Sequence, residues 1–228
     1  MILYAIPTPL GGEPSAALPA GAIGIVRDLQ DFVVENAKSA RAFLGSIGMP
    51  VRELRIVEIE KEHEREADLL RPLREGRSLG LLSEAGCPAI ADPGAAIVEA
   101  AHREGFRVVP LVGPSSVVLA LMASGLQGQR FAFCGYLPRE APEREKRIRQ
   151  LEKRSRDEDE TQIFIETPYR NDALLGAVLK ACHPGTQLCV AADLTLQSES
   201  IQTRTVATWR KLGSAIGKRP AVFLLLAR

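Results

Sequence analysis

The chain has 228 residues, 46% of them hydrophobic and 25% charged, with a formal net charge of +1 at pH 7. This is a globular composition that can fill one large core or two small ones, and it gives no global electrostatic case for nucleic acid or an anionic membrane, so such a partner has to be met by a local patch. The four cysteines (Cys87, Cys134, Cys182 and Cys189) form no C-x-x-C pair, and no apolar run approaches the roughly 20 residues that span a bilayer, so free thiols, no metal and no membrane span are expected.

The first residues, "MILYAIPTPL", have no basic n-region and run straight into a strand-like segment, which reads against a secretory signal and makes the cytoplasm the expected compartment. Short β-rich runs follow at "ILYAI" (2–6), "DFVVE" (31–35), "LRIVEI" (54–59), "SLGLLS" (78–83) and "FRVVPLV" (106–112). Helix-like segments such as "SARAFLGSIG", "ADLLRPLREG" and "AAIVEAAHREG" lie between most of them. This alternation predicts a mostly parallel sheet covered by helices. An apolar helix opened by Gly-Pro-Ser-Ser and closed by Gly comes next, and a second series of strands follows it: "RFAFCGYL" (130–137), "TQIFIET" (161–167), "QLCVAADL" (187–194), "SIQTRTVAT" (200–208) and "AVFLLLAR" (221–228). The expected organisation is an N-terminal α/β domain over 1–113, a hinge helix over 114–128 and a C-terminal α/β domain over 129–228.

Ligands of open α/β sheets sit beyond the carboxyl ends of the strands. Three loops in that position are unusual: "PTPLGG" (7–12), "SEAGCPAIADPG" (83–94) and "GPSS" (113–116). Gly and Ala let a ligand approach the backbone, Pro fixes the loop shape, and exposed N–H and C=O groups supply hydrogen bonds. Several ligands and reactions are excluded. The one Gly-Lys pair, Gly217-Lys218, is followed by Arg219, so there is no Walker loop, and G-x-G-x-x-G is absent. Val117 stands where a serine-hydrolase elbow needs Gly.

"IPTPLGG", "LLSEAGCPAIADPG", "VVPLVGPSSVVLALMASGL", "FAFCGYLPRE", "FIETPYR" and "AADLT" occur in the order and spacing of the tetrapyrrole methylase superfamily. Within it, the chain resembles the bacterial 16S ribosomal RNA (cytidine-2'-O)-methyltransferase branch. The resemblance implies two α/β domains of the tetrapyrrole methylase type with the cofactor cleft between them, a homodimer, and S-adenosyl-L-methionine as methyl donor. It places Pro9 and Leu10 beside the cofactor, with Glu84, Ala85, Gly86 and Pro88 along its methionine and ribose side and Ser115 and Ser116 at the start of the hinge helix. In the second domain it places Ile165, Glu166, Thr167, Ala192 and Leu194 facing the cofactor, and Pro220 and Ala221 over the adenine.

The substrate side departs from that branch. "VENAK" (34–38) stands for Ala-Glu-Asp-Thr-Arg, "ETPYR" for Glu-Ser-Pro-His-Arg and "GGEPSAA" for Gly-Asn-Leu-x-Asp-Ile, while "EKEHERE" (60–66) matches a His-x-Asn-Glu site only in part. The branch also commonly carries a small C-terminal module, which is not expected here because the sequence ends at its last strand-like run.

Methyl transfer from a sulfonium needs positioning and, for an alcohol acceptor, a proton acceptor. By family position Glu35 or His63 is the expected base and Arg170 an anion clamp. The local basic patch lies within 138–160, where a helix puts Lys146, Arg149, Lys153 and Arg156 on one face on which RNA phosphates could dock; interleaved Glu143, Glu145 and Glu152, with "DEDE" following at once, favour an ordinary salt-bridged solvated helix. The expected activity is methyl transfer to RNA, at a ribose 2'-hydroxyl of ribosomal RNA by resemblance. A tetrapyrrole or other small acceptor, and a non-catalytic S-adenosylmethionine-binding module, are the alternatives.

Overall fold

Among the described residues the ten β-rich runs become ten strands, five in each of two sheets. The computed structural model describes residues 1–59, 66–213 and 215–228, and the chain divides into two units, Met1–Ser115 and Ser116–Arg228.

The first unit runs β1 (Ile2–Ile6), α1 (Pro14–Ala17), α2 (Ala20–Arg27), β2 (Asp31–Val34), α3 (Ala37–Ser46), β3 (Arg55–Glu58), α4 (Glu66–Leu69), α5 (Arg71–Arg74), β4 (Leu79–Leu82), α6 (Ala95–Arg103) and β5 (Arg107–Pro110). Its sheet has the order β3-β2-β4-β1-β5 and every pairing is parallel. Both faces are covered, so β2 and β4 are buried at all four of their positions. Alternation sends Phe32 and Val34 into a core with α2 and α3, and Val33 into a core with α4, α5 and α6. Gly80 makes the first of these possible, because a Cβ there would lie 2.7 Å from the Phe32 ring. Asn36 caps α3 by accepting from the amides of Lys38 and Ser39 at 2.9 and 3.3 Å. The expected helix over 67–76 is two short turns, with Pro72 in the first turn of α5.

The second unit runs α7 (Ser116–Ser124), β6 (Phe131–Tyr136), α8 (Ala141–Glu158), β7 (Thr161–Ile165), a 3₁₀ turn (Pro168–Arg170), α9 (Asn171–Ala181), β8 (Gln187–Ala192), β9 (Ser200–Thr205), α10 (Val206–Leu212) and β10 (Ala221–Leu226). The order is β6-β7-β10-β8-β9, with β6 and β7 parallel and the other three pairings antiparallel. Its core is centred on Phe164 and Phe223, stacked with ring centroids 5.8 Å apart. Helix α7 packs on β8, β9 and β10, and the Ser124 carbonyl at its end accepts from Thr203 Oγ1 at 2.6 Å. The run "SIQTRTVAT" is strand only to Thr205. Thr205 Oγ1 accepts from Thr208 N at 3.2 Å and starts α10, so a residue type that favours strands acts here as a helix cap.

Candidate functional site

In the first unit the order β4-β1-β5 makes the three Gly/Pro loops neighbours at the carboxyl ends of adjacent strands. Thr8 and Gly86 exchange backbone hydrogen bonds of 2.9 and 3.0 Å, joining the loop after β1 to the loop after β4. Ser83 Oγ donates to the Gly86 carbonyl at 3.2 Å, and Cys87 Sγ donates to the Pro114 carbonyl at 3.4 Å. Gly86 has φ +80°, and a Cβ there would lie 3.3 Å from Leu10. Gly113 is packed on the first loop so closely that a Cβ would lie 2.4 Å from Pro7 Cβ. Ala85 is exposed, Leu10 and Pro9 are half-buried, and Gly86 and Pro88 are buried beneath. Ala89 and Ala91 carry φ of +66° and +65°, a conformation that costs an L-residue roughly 1–2 kcal/mol each. Ser115 and Ser116 stand at the junction with α7.

Glu35 follows β2, the neighbour of β4, and reaches the same strand ends. Its backbone N donates to the Leu82 carbonyl at 3.1 Å, and its Oε2 accepts from Glu84 N at 2.9 Å. Asp92, inside the loop after β4, is a titratable group that the motif reading passes over. Partial burial, with the charges of Glu35 and Glu84 adding to it, pushes its carboxyl up to about 6. In the sequence it is the lone Asp of the family stretch "LLSEAGCPAIADPG", with no role assigned to it there. His63 lies outside the described residues.

In the second unit, β10 runs antiparallel between β7 and β8, so its start lies beside their carboxyl ends. Val222 pairs with Ile165 and Ala221 with Ala192, and Asp193 N donates to the Pro220 carbonyl at 2.9 Å. Ile165, Glu166, Thr167, Ala192, Leu194, Pro220 and Ala221, drawn from three separate stretches, therefore collect at one end of this sheet. Polar side chains hold it together. Glu166 Oε1 accepts from Thr167 N at 2.7 Å and from the Arg170 guanidinium, while its buried Oε2 has no hydrogen-bond partner. Buried Asn171 donates through Nδ2 to the Arg219 carbonyl at 2.6 Å. Arg219 pairs with Asp193 at 2.6 Å and holds that carboxyl below the usual range. Asn171 and Arg219 lie outside the family stretches, and Asp193 stands inside "AADLT" with no role assigned to it by the resemblance.

Burial pushes all four thiols up, Cys182 to about 12, so none is poised as a thiolate. Among the described residues no group of three or more His, Cys, Asp or Glu is arranged to hold a metal, and no helix is long and apolar enough to cross a membrane.

On α8, Lys146, Arg149, Lys153 and Arg156 are all exposed. Arg149 pairs with Glu145 at 3.3 Å and Lys153 with Asp157. Glu152 does not share their solvated face. It is buried, accepting from His183 N at 2.7 Å and from Thr186 Oγ1 at 2.5 Å.

Residues 8–209 match the family described as Tetrapyrrole (Corrin/Porphyrin) Methylases, which makes the chain by class an S-adenosylmethionine-dependent methyltransferase. The chain belongs to that family. It is 31% identical to the ribosomal RNA small subunit methyltransferase I of Vibrio cholerae over 91% of its own length and 71% of that protein's. Against the protein of the same name from Escherichia coli O157:H7 the identity is 31%, over 87% of this chain and 67% of that one. Among solved structures, the methyltransferase CobJ superposes with a TM-score of 0.65 at 18% identity, covering 99% of this chain and 93% of that one. The uroporphyrin-III-C-methyltransferase of Thermus thermophilus gives 0.58 at 20% identity, covering 99% and 91%. These two likenesses establish the fold.

The residues present fit the cofactor of this class. Exposed Ala85 over the closely fitted Gly86 leaves backbone accessible at the strand ends of the first unit. In the second unit, Glu166 Oε2 is buried with no hydrogen-bond partner, at the sheet end where Ile165, Ala192 and Ala221 come together.

Proposed function

We propose that the chain transfers the methyl group of S-adenosylmethionine to a ribose 2'-hydroxyl of ribosomal RNA. The observation that carries this reading is the 31% identity, across 91% of the chain, to a ribosomal RNA small subunit methyltransferase I. The same name recurs in relatives from Streptococcus pyogenes and Mesorhizobium japonicum. When bound, S-adenosylmethionine supplies a methyl on a positive sulfur that needs no further activation.

The chain's part is to bind, orient and accept a proton. Pro9, Leu10, Glu84, Ala85, Gly86 and Pro88 hold the donor in the first unit, with Ser115 and Ser116 at the junction. In the second unit Ile165, Glu166, Thr167, Ala192, Leu194, Pro220 and Ala221 do so, largely through backbone groups. Glu35, oriented by the Glu84 amide, takes the proton that the hydroxyl loses. Glu166 pins Arg170 by one nitrogen, and the remaining N–H groups of the guanidinium face an RNA phosphate. The basic stripe on α8 gives the RNA backbone a second hold. A homodimer working in the cytoplasm completes the reading. Val118 and Met122, exposed one turn apart on the apolar helix α7, support a contact between copies.

Small ribosomal subunits lacking this modification, incubated with the protein and labelled donor, should acquire label in ribosomal RNA ribose. Glu35→Gln should lower kcat about 100-fold or more while donor affinity stays unchanged. Label appearing only in a small-molecule extract would move the assignment to a tetrapyrrole-like acceptor. Donor binding without any transfer would leave a binding module.

A further inference from the structure

Tyr169 is 79% exposed, more than any other large hydrophobic side chain among the described residues. In its turn it stands between Pro168 and Arg170, and Lys218 from a loop distant in sequence lies over the ring, so an aromatic face and a cation are presented together.

The ring is not loosely held. It stands in the 3₁₀ turn Pro168–Arg170, where Arg170 N donates to the Thr167 carbonyl at 2.9 Å and the Arg170 guanidinium is tied to buried Glu166. Lys218 Nζ lies 5.0 Å from the ring centroid and covers one face. The loop that carries Lys218 is fixed in turn. Asp172 Oδ1 accepts from Ile216 N at 2.7 Å and Gly217 N at 3.2 Å, and Asn171 holds the Arg219 carbonyl at 2.6 Å. An exposed aromatic ring on a fixed turn, with an ammonium over one face and an arginine as the next residue, has the chemistry of a base-stacking platform.

We propose that Tyr169 stacks one unpaired nucleobase of the RNA substrate on the face away from Lys218, while Lys218 and Arg170 hold the flanking phosphates. This rests on RNA being the acceptor, and it adds that the bound segment is single-stranded at this point. The platform lies beside Thr167, at the sheet end where the cofactor residues collect, so the stacked base positions its strand next to the reacting nucleotide.

The test uses the full chain and short single-stranded RNAs spanning the methylated nucleotide, with 2-aminopurine placed at each position in turn. Wild type, Tyr169→Phe and Tyr169→Trp should quench its fluorescence at one position. Tyr169→Ala and Tyr169→Leu should lose the quench and bind roughly 5- to 150-fold more weakly. All five proteins should bind S-adenosylmethionine alike, since so exposed a ring supports little of the fold. Wild-type affinity in Tyr169→Ala, or rescue by Leu, overturns the platform while leaving RNA methylation standing. A wild-type protein that methylates no RNA and binds none overturns the RNA reading and the platform together.

Discussion

At the strand ends of the first unit, the Thr8–Gly86 backbone bridge and the seating of Gly113 on Pro7 fit main chain against main chain, with small residues leaving no slack. At the matching end of the second unit the work falls to side chains: Glu166 on Arg170, Asp193 on Arg219, Asn171 on the Arg219 carbonyl and Asp172 on two amides. The cause is topological. In a parallel sheet every loop after a strand emerges at the same end, so neighbouring loops can bond through their backbones. In the mixed sheet the start of β10 meets the ends of β7 and β8, and residues distant in sequence must be tied by polar groups that reach. One end should therefore fail when a methyl is added, and the other when a polar group is removed.

The largest effect is expected at Gly113. Gly113→Ala puts a Cβ 2.4 Å from a proline ring that cannot rotate away and 2.9 Å from Leu18. It should lower stability in chemical denaturation by about 3 kcal/mol. A loss below about 0.5 kcal/mol, the scale of an ordinary surface change, would show that these loops yield and would erase the contrast.

In the second unit, Asn171→Ala removes the 2.6 Å bond to the Arg219 carbonyl at a fully buried site. The cost should be about 2 kcal/mol, again read by denaturation. A harmless Asn171→Ala would mean that Asp193 and Asp172 hold this end without it.

A smaller effect, of opposite sign, is expected at Asp92. Its carboxyl titrates near 6 in the folded protein against 3.8 for the free side chain. The native state thus holds the proton longer than the unfolded chain, and stability falls as pH rises from about 4 to about 6. Asp92→Asn should lack this slope and be more stable at pH 7 by about 1 kcal/mol, a figure reduced for the screening of a half-exposed group. Parallel pH profiles of the two proteins would show that the Asp92 carboxyl is not raised in the folded state.

The smallest change in stability belongs to the α8 stripe. Replacing Lys146, Arg149, Lys153 and Arg156 together by Gln should move stability by no more than about 0.5 kcal/mol. If RNA docks there, its log–log salt slope should flatten by roughly 0.7 for each single-strand phosphate that the stripe no longer neutralises. An unchanged slope would leave RNA recognition to the strand ends alone.

The sequence by itself located the ten strands of the described residues and the three loops that meet in the first unit, because β-rich runs, Gly and Pro act on the backbone where they stand. "LRIVEI" is β3 and "AVFLLLAR" is β10 within a residue or two at either end. Local reading went astray where a residue has two uses, as at Thr205, which suits a strand and caps α10. It was silent where the property depends on groups brought from afar. Glu152 reads as one more charge on a solvated helix, and only the placement of residues 183 and 186 buries it and satisfies its carboxylate. Asp92 stands in the loop after β4 with no role that the sequence assigns, and its raised pKa comes first from burial and then from the charge of Glu35, which β2 brings near by lying beside β4. Propensity is a property of neighbours along the chain, whereas desolvation, charge coupling and the pairing of Tyr169 with Lys218 are decided by strand order and burial, which only the tertiary structure sets.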